Sequence, residues 1–431
     1  MASPPEAPPS EAPSAQAVED ESALPGPLDQ ARIWSRAQHA WGSLRWRTGL
    51  LVVGSLLGCQ AMAASRPITA PVALVMPQGL DGARDAFLQG LALGEEAIQA
   101  CGAEPASMVM HSLPADADPL VLFPRDGNNR PVVPPLVVAP FGADLRSYSR
   151  LAAEGDTRVL LGHQRGTALS ALPGLDEQGR VWPLLPSRQD ELRTLAKATI
   201  DRGWKRVMVV TDPSALEADH AQAFVELFEG MGGKVLSYSD ASVQVIDPSD
   251  AQRLALFEKD LDWLGPDAMV LAAPANGALA SVLRKHQAAP ETYRRPAWVW
   301  LLSRAQAVAV SSQPWPQVVL DQPAHGPGWR DFSAAFEQRW GTSPDLIAAA
   351  GYETARVLAL TTLAPAPLAA DGRRDPMAWV DPGADPVALC QAIERRRNGD
   401  TARLEGVASD FALRPSQTPK GEAQSRLITA Q

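Results

Sequence analysis

What this 431-residue sequence has little of is the first guide to its function. It has only three cysteines, Cys59, Cys101 and Cys390. They are too few and too far apart for a disulfide scaffold or a zinc cluster. The six histidines, His39, His111, His163, His220, His286 and His325, are scattered without ligand-like spacing, so no metal and no other cofactor is expected. There is no G-x-S-x-G elbow, H-E-x-x-H helix, P-loop or G-x-G-x-x-G fingerprint. The plentiful Asp and Glu residues show no paired arrangement, and no enzymatic activity is expected. A basic excess is missing too. The net charge is −10, with no long basic stretch interleaved with aromatics, which argues against a nucleic-acid partner. The apolar run at residues 50–57 is far short of the roughly 20 residues that span a bilayer.

What is present suits export and a sizeable core. Hydrophobic residues make up 45% of the chain, and its length accommodates two or three domains of roughly 100–200 residues each. Residues 1–30 are rich in Pro, Ala, Ser and Glu, a composition that predicts disorder. Arg32, Arg36, Arg45 and Arg47 then precede the short apolar run, as a basic n-region precedes the h-region of a signal peptide. Two processing sites compete. Leu56-Leu57-Gly58-Cys59 resembles a bacterial lipobox, in which Cys59 is lipidated and becomes the new N-terminus. Ala61-Met62-Ala63 is an A-x-A signal for ordinary cleavage. Residues 1–65 are therefore read as leader and signal peptide, and a periplasmic location, with a possible N-terminal lipid on the membrane, is expected.

The body alternates strand and helix patterns. Residues 181–212 show the unit best. Leu192, Leu195, Ala196, Thr199 and Ile200 recur at helical spacing. Ser187 can cap that helix, and Asp190 and Glu191 suit its positive N-terminus. Gly203 stops it, and the apolar run 207–210 reads as a strand buried in a parallel sheet. Further strands are predicted near 72–76, 106–111, 136–139, 158–162, 235–238, 268–273 and 298–302, with helices near 83–100, 215–231, 250–264, 328–340, 345–363 and 386–397. Residues 411–413 and 426–428 read as a terminal hairpin. Residues 114–135 are a polar, Pro-rich excursion with a turn signal at Asp126-Gly127-Asn128-Asn129. Repeated strand–helix units predict an α/β fold, with more units than one doubly wound sheet holds. Two doubly wound parallel-sheet lobes are expected.

The order of these elements resembles the type I periplasmic binding fold, in particular the leucine/isoleucine/valine-binding-protein-like solute receptors of ABC transporters. The matching stretches include residues 72–77, the helix holding Gln89-Gly90 and Glu95-Glu96, residues 136–142, 184–187, 204–212, 221–235 with Gly232-Gly233, 267–273, and Ala349 to Ala355. The resemblance covers residues 68–431. It implies lobe 1 over 66–186 plus 297–383 and lobe 2 over 187–296 plus 384–431, joined by a multi-strand hinge near Pro183 and Pro186. It also puts Cys101 and Cys390 in different lobes, so no disulfide between them is expected. The implied activity is binding a small polar ligand in the interlobe cleft by lobe closure, with an ABC permease as partner.

In such receptors a Ser-containing loop after the third strand and an Ala/Thr pair after the fourth take the ligand carboxylate. This chain has Phe141-Gly142-Ala143 and His163-Gln164-Arg165 there. Where an acidic residue often holds the ligand ammonium, it has Pro274-Ala275-Asn276. The usual zwitterion clamp is not intact. The candidate ligand-binding residues are Phe141, His163, Gln164, Arg165, Asp212 and Asn276. Arg165 could pair bidentately with a carboxylate or phosphate, or be a solvated loop charge. His163 could be a hydrogen-bonded loop histidine. Phe141 could stack on a ligand or fill a gap beneath a loop. Asp212 could face the cleft or cap the next helix. Tyr352 and Trp300 read as core, whereas Trp298, Trp315 and Trp329 could line the cleft or pack the hinge. The altered clamp also leaves open a second role, that of an envelope lipoprotein using the same fold as a regulatory or scaffolding module.

Overall fold

The structure, a computed structural model, describes residues 72–114, 117–162, 165, 176, 178–213, 218–290, 292, 294–301, 313–363 and 375–429. The leader, the signal-peptide run, Cys59, His163 and Gln164 lie outside the described residues.

Short β-branched runs buried on both faces organise the chain. The first sheet is all parallel, in the order β2 (Met108–Leu113), β1 (Val72–Pro77), β3 (Leu136–Ala139), β4 (Arg158–Leu161), β5 (Val181–Pro183). Period-two alternation sorts β1 between two cores. Val72, Leu74 and Met76 join a cluster with Phe87 and Leu91 of α1 (Asp81–Ala100). Ala73 and Val75 join one with Tyr148 and Leu151 of α2 (Leu145–Glu154).

The chain then crosses into the second sheet through α3 (Arg188–Asp201), whose N-cap Ser187 accepts from the Gln189 amide at 3.1 Å as expected. This sheet contains β6 (Arg206–Thr211), β7 (Lys234–Val235), β8 (Val243–Val245), β9 (Ala268–Ala272), β10 (Ala297–Trp300), β11 (Gln317–His325) and β14 (Glu422–Ile428). Its order is β14-β11-β10-β9-β6-β7, with β8 also on β6, and only β14 is antiparallel. Helices α4 (Ala218–Gly230), α5 (Ala251–Leu264) and α6 (Ala278–Ala288) connect these strands. Alternation again divides β6. Val207 and Val209 face Phe224 and Phe228 of α4, whereas Met208 and Val210 face Phe257, Trp298 and Trp315.

After β11 the chain returns to the first core. Phe332 and Phe336 of α7 (Trp329–Trp340), the apolar face of α8 (Leu346–Thr362) and Ile393 of α9 (Leu389–Arg397) all pack there. A small parallel pair, β12 (Pro386–Val387) and β13 (Arg403–Leu404), completes that lobe. Helices α1 and α8 pack with their backbones nearly touching. A Cβ on Gly90 would stand 1.8 Å from the Ala348 carbonyl oxygen, and one on Gly351 2.0 Å from that of Phe87.

Four expectations need correction. Residues 297–325 belong to the second sheet, because β10 pairs in parallel with β9 and β11 with β10. Residues 384–413 pack into the first core, where Val387, Ile393, Leu404 and Phe411 are buried. The second crossing therefore follows β11, a strand whose Asp321, Gln322 and Pro323 break the apolar pattern by which strands were recognised. Residues 411–413 form no strand, and the C-terminal strand β14 pairs with β11 instead of closing a hairpin. With α9 in the first lobe, Cys101 at the end of α1 meets Cys390 in the first turn of α9. The two form a disulfide across 289 residues, with Cα atoms 5.0 Å apart.

That bond fastens the C-terminal part of the first lobe to its N-terminal helix. Its reduction is expected to destabilise the protein by about 2–4 kcal/mol. The check is chemical denaturation with and without reductant, on the wild type and on a Cys101→Ala/Cys390→Ala variant that should no longer respond to reductant.

Candidate functional site

Open parallel sheets bind ligands beyond the carboxyl ends of their strands. In the first sheet that end carries Pro77-Gln78-Gly79 after β1 and Pro140-Phe141-Gly142 after β3. Gly142 has φ +65°, a left-handed turn suited to glycine. Phe141 is buried, with its ring edge-on to Phe87 at a centroid distance of 5.6 Å. It fills the space under its loop, one of the two readings its sequence allowed.

In the second sheet Thr211 stands opposite Ala272 in register, and the Thr211 hydroxyl donates to the Ala272 carbonyl at 2.9 Å. The half-buried Asp212 and the exposed Asn276 therefore follow neighbouring strands at one end of the same sheet. The structure brings these two together by topology, and separately puts Phe141 beside the strand that precedes Arg165.

Arg165 is mostly buried and is engaged by the protein itself. Its Nη2 donates to Glu191, and its Nε to the Pro186 carbonyl at 3.4 Å. Glu191, in the first turn of α3, is completely buried. The same oxygen, Oε1, accepts from the Ala324 amide at 2.9 Å, and Oε2 accepts from Arg188 Nη1. Arg188 in turn donates from Nη2 to the Leu301 carbonyl at the end of β10 and from its amide to the Arg165 carbonyl at 2.9 Å. One carboxylate thus joins the loop after β4, the first crossing, the end of β10 and the second crossing.

The charges around it are balanced by contact. Burial pulls the Arg165 guanidinium down to about 10, opposed by the Asp190 carboxylate, so it remains a cation at neutral pH. Burial raises the Asp190 carboxyl, opposed by Arg193, Arg165 and Lys420. Lys420 lies on the third crossing, the segment between β13 of the first lobe and β14 of the second sheet. All three crossings also meet sterically: a Cβ on Gly421 would stand 2.7 Å from Pro186 Cγ and 3.0 Å from the His325 amide nitrogen. Beside this point His325 stacks on Trp329 at 5.2 Å. Its Nδ1 lies 2.8 Å from the Gly326 carbonyl and its Nε2 2.9 Å from Gln322 Oε1.

Trp329 therefore packs the hinge. Trp298 and Trp315 do not line a cleft; both are buried on one face of the second sheet, 5.2 Å apart, with Trp300 against Trp298 at 5.4 Å. Sequence reasoning treated Glu191 only as a favourable charge at a helix start. The available signal was Arg188 three residues before it, a spacing that puts both on one helical face. The Ala324 and Leu301 backbone partners are 133 and 113 residues away and leave no trace in the pattern.

A groove of about 310 Å³ lies elsewhere, within the first lobe between α1, α7 and α8, and includes Leu93, Phe332, Tyr352 and Arg356. Among the described residues no group of three His, Cys, Asp or Glu could hold a metal ion.

No family model matches the sequence, and no curated protein does. Solved structures do match. A candidate branched-chain amino acid ABC transporter from Rhodospirillum rubrum is similar at 17% identity and TM-score 0.52, over 84% of this chain and 98% of the other. One from Silicibacter pomeroyi is similar at 13% identity and TM-score 0.53, over 84% and 94%. The fold is the two-lobed α/β fold of type I periplasmic binding proteins.

Removing one partner from a buried ion cluster leaves the others desolvated and unpaired. Glu191→Ala is expected to cost about 3–5 kcal/mol in urea unfolding. Glu96→Ala, which removes an exposed partner of Arg339, should cost within about 1 kcal/mol. Equal effects of the two would show that Glu191 does not hold the crossings.

Proposed function

We propose that this chain is the exported solute-binding receptor of an ABC importer, which takes a small polar, amino-acid-like ligand between its lobes and closes on it. The observation that carries this reading is the convergence of three crossings at Pro186, His325 and Gly421 between two separately cored sheets. Two rigid lobes joined at one narrow point move most easily by rotation about that point. His163, Gln164, Asp212 and Asn276 contribute to the cleft, whereas Phe141 supports its loop from beneath and Arg165 serves the hinge. A plain α-amino acid zwitterion fits poorly, because the loop at Phe141-Gly142-Ala143 has no hydroxyl and Pro274-Ala275-Asn276 no acid. Amides, urea-like compounds and small organic acids suit the remaining groups better. The partner is an ABC permease, and the chain works in the periplasm, held at the membrane by a lipid on Cys59. No described helix is long and apolar enough to cross a membrane.

The engagement of Arg165 by Glu191 favours one second reading, a regulatory or scaffolding envelope lipoprotein that keeps the fold without a ligand. A thermal-shift screen separates the two. A true ligand at 100 times its Kd adds about 2.7 kcal/mol of stability and raises the melting temperature with concentration. No shift across amino acids, amides, urea-like compounds and organic acids, with co-purification of a cell-wall synthase and no permease, would overturn the receptor reading. For the anchor, Cys59→Ala is expected to abolish incorporation of labelled fatty acid and release the protein from the membrane fraction. Unchanged labelling would refute the lipid site.

A further inference from the structure

Parallel strands begin together at one end of their sheet. In the second sheet that end, opposite the one where Asp212 and Asn276 lie, collects cations. Arg206 opens β6 and stands in register with Lys234 of β7. Lys205 precedes it, and Arg294 and Arg295 lead through Pro296 into β10. Strands β7, β6, β9 and β10 are successive neighbours. At about 4.8 Å per strand, the backbones of Lys234 and Arg295 therefore lie within roughly 15 Å of each other.

All five side chains are exposed. None of them meets a carboxylate among the described residues, whereas exposed Arg150, Arg193, Lys197 and Arg339 each do. Arg206 Nη2 donates to the Leu264 carbonyl at 2.7 Å, and Arg295 Nη2 to that of Ala289 at 3.5 Å. These contacts complement helix C-termini and leave the other guanidinium N–H groups facing outward. Among the described residues the acids at this end are Glu229, Asp262 and Asp267, the last accepting from the Arg206 amide at 2.8 Å. Asp201 and Glu258 face Lys197 and His286 instead. A chain of net charge −10 thus presents a basic end on its second lobe.

Beside these cations stands Trp263, in the last turn of α5 and 81% exposed. The next residue supplies the carbonyl that Arg206 takes. The Arg294 guanidinium lies against Gly265, where a Cβ would stand 1.8 Å from its Nη1. Leu256, seven residues earlier and on the same helical face, is 55% exposed, with exposed Lys259 between the two. Phe257 and Leu261 already seat α5 on the sheet, so the core has no use for the outer pair.

We propose that this corner of the second lobe is a membrane-surface site for an anionic phospholipid bilayer. Lys205, Arg206, Lys234, Arg294 and Arg295 meet the lipid phosphates, and Trp263 and Leu256 enter the headgroup layer. Cations this close together act jointly on a charged surface, because their spacing is comparable with the Debye length of about 10 Å at 0.1 M salt. Tryptophan, with an apolar body and a polar N–H, suits the boundary between headgroups and acyl chains. A protein partner would need an apolar pocket shaped for a ring that projects alone, whereas a bilayer accepts it without one. The site lies at the end of the sheet away from Asp212 and Asn276, so a chain resting on it keeps that end open. The proposal goes beyond the receptor reading and depends neither on it nor on a lipid at Cys59.

The test is co-sedimentation of the full chain, carrying Cys59→Ser so that no lipid anchor contributes, with phosphatidylcholine vesicles with and without about 30% phosphatidylglycerol. Residues 32–57 are common to every variant, so differences between variants report the corner. Lys205→Glu/Arg295→Glu is expected to weaken binding to the anionic vesicles at least about tenfold. Trp263→Ala should weaken it at least about threefold. The matched reversal Arg125→Glu/Arg330→Glu, at exposed positions of the first lobe, should bind as the parent does. Melting temperatures should stay level, because all these side chains are exposed. Brominated lipid should quench a share of the tryptophan emission that Trp263→Phe removes. Indifference of binding to phosphatidylglycerol, or equal binding by the corner and first-lobe reversals, would overturn the proposal. So would failure of the parent to bind, which would leave the corner to a protein partner.

Discussion

The buried carboxylate of Glu191 is the constraint on which the relation between the two lobes depends. An ionised acid withdrawn completely from water is tolerable only when its lone pairs are filled and its charge is opposed. Here Arg165, Arg188 and the Ala324 amide do both. Arg165 and the Ala324 amide come from segments that are distant in sequence. Satisfying one side chain therefore fixes the paths of the first two crossings, and Asp190 extends the attraction to Lys420 on the third. The requirement is local, but its consequence is the geometry of the whole hinge.

A second buried acid performs the corresponding task inside the first lobe. Glu353 of α8 accepts from the Val407 and Ala408 amides and from Arg356 Nη1 at 3.2 Å, and Arg356 Nη2 donates to the Glu405 carbonyl at 2.8 Å. This holds the returning segment after β13 against α8. Together with the Cys101–Cys390 disulfide, it explains how a segment far along the chain becomes part of the first lobe. The lobes are held internally by apolar packing and by these few polar clamps, whereas between them the described ties concentrate at the crossings.

Much of the architecture was legible before any coordinates. β1, β3, β4, β6 and β9 are runs of apolar residues buried on both faces, and such runs announce a parallel sheet. Ser187 capped the helix it was expected to cap. What could not be read was the membership of segments whose signal is mixed. β11 interrupts its apolar stretch with Asp321, Gln322 and Pro323, so the second crossing was set too early. A separate boundary, set at residue 384 ahead of α9, moved that helix to the wrong lobe and separated the two cysteines. Trp298 and Trp315 were ambiguous because a tryptophan suits a cleft, a hinge or a core equally well. Pairing of β10 with β9 turned Trp298 to the same face as Met269, and so into the core.

The sequence by itself therefore determined the local elements, the α/β class and the order of units that resembles a two-lobed receptor, because periodicity and capping act over a few residues. Only the tertiary structure decided which lobe each late segment joins, that Cys101 reaches Cys390, and that Arg165 is committed to Glu191. Those outcomes depend on contacts between residues that are 26 to 289 positions apart. A burial pattern records that a residue must be hidden or a charge matched. It does not record which distant group will do it.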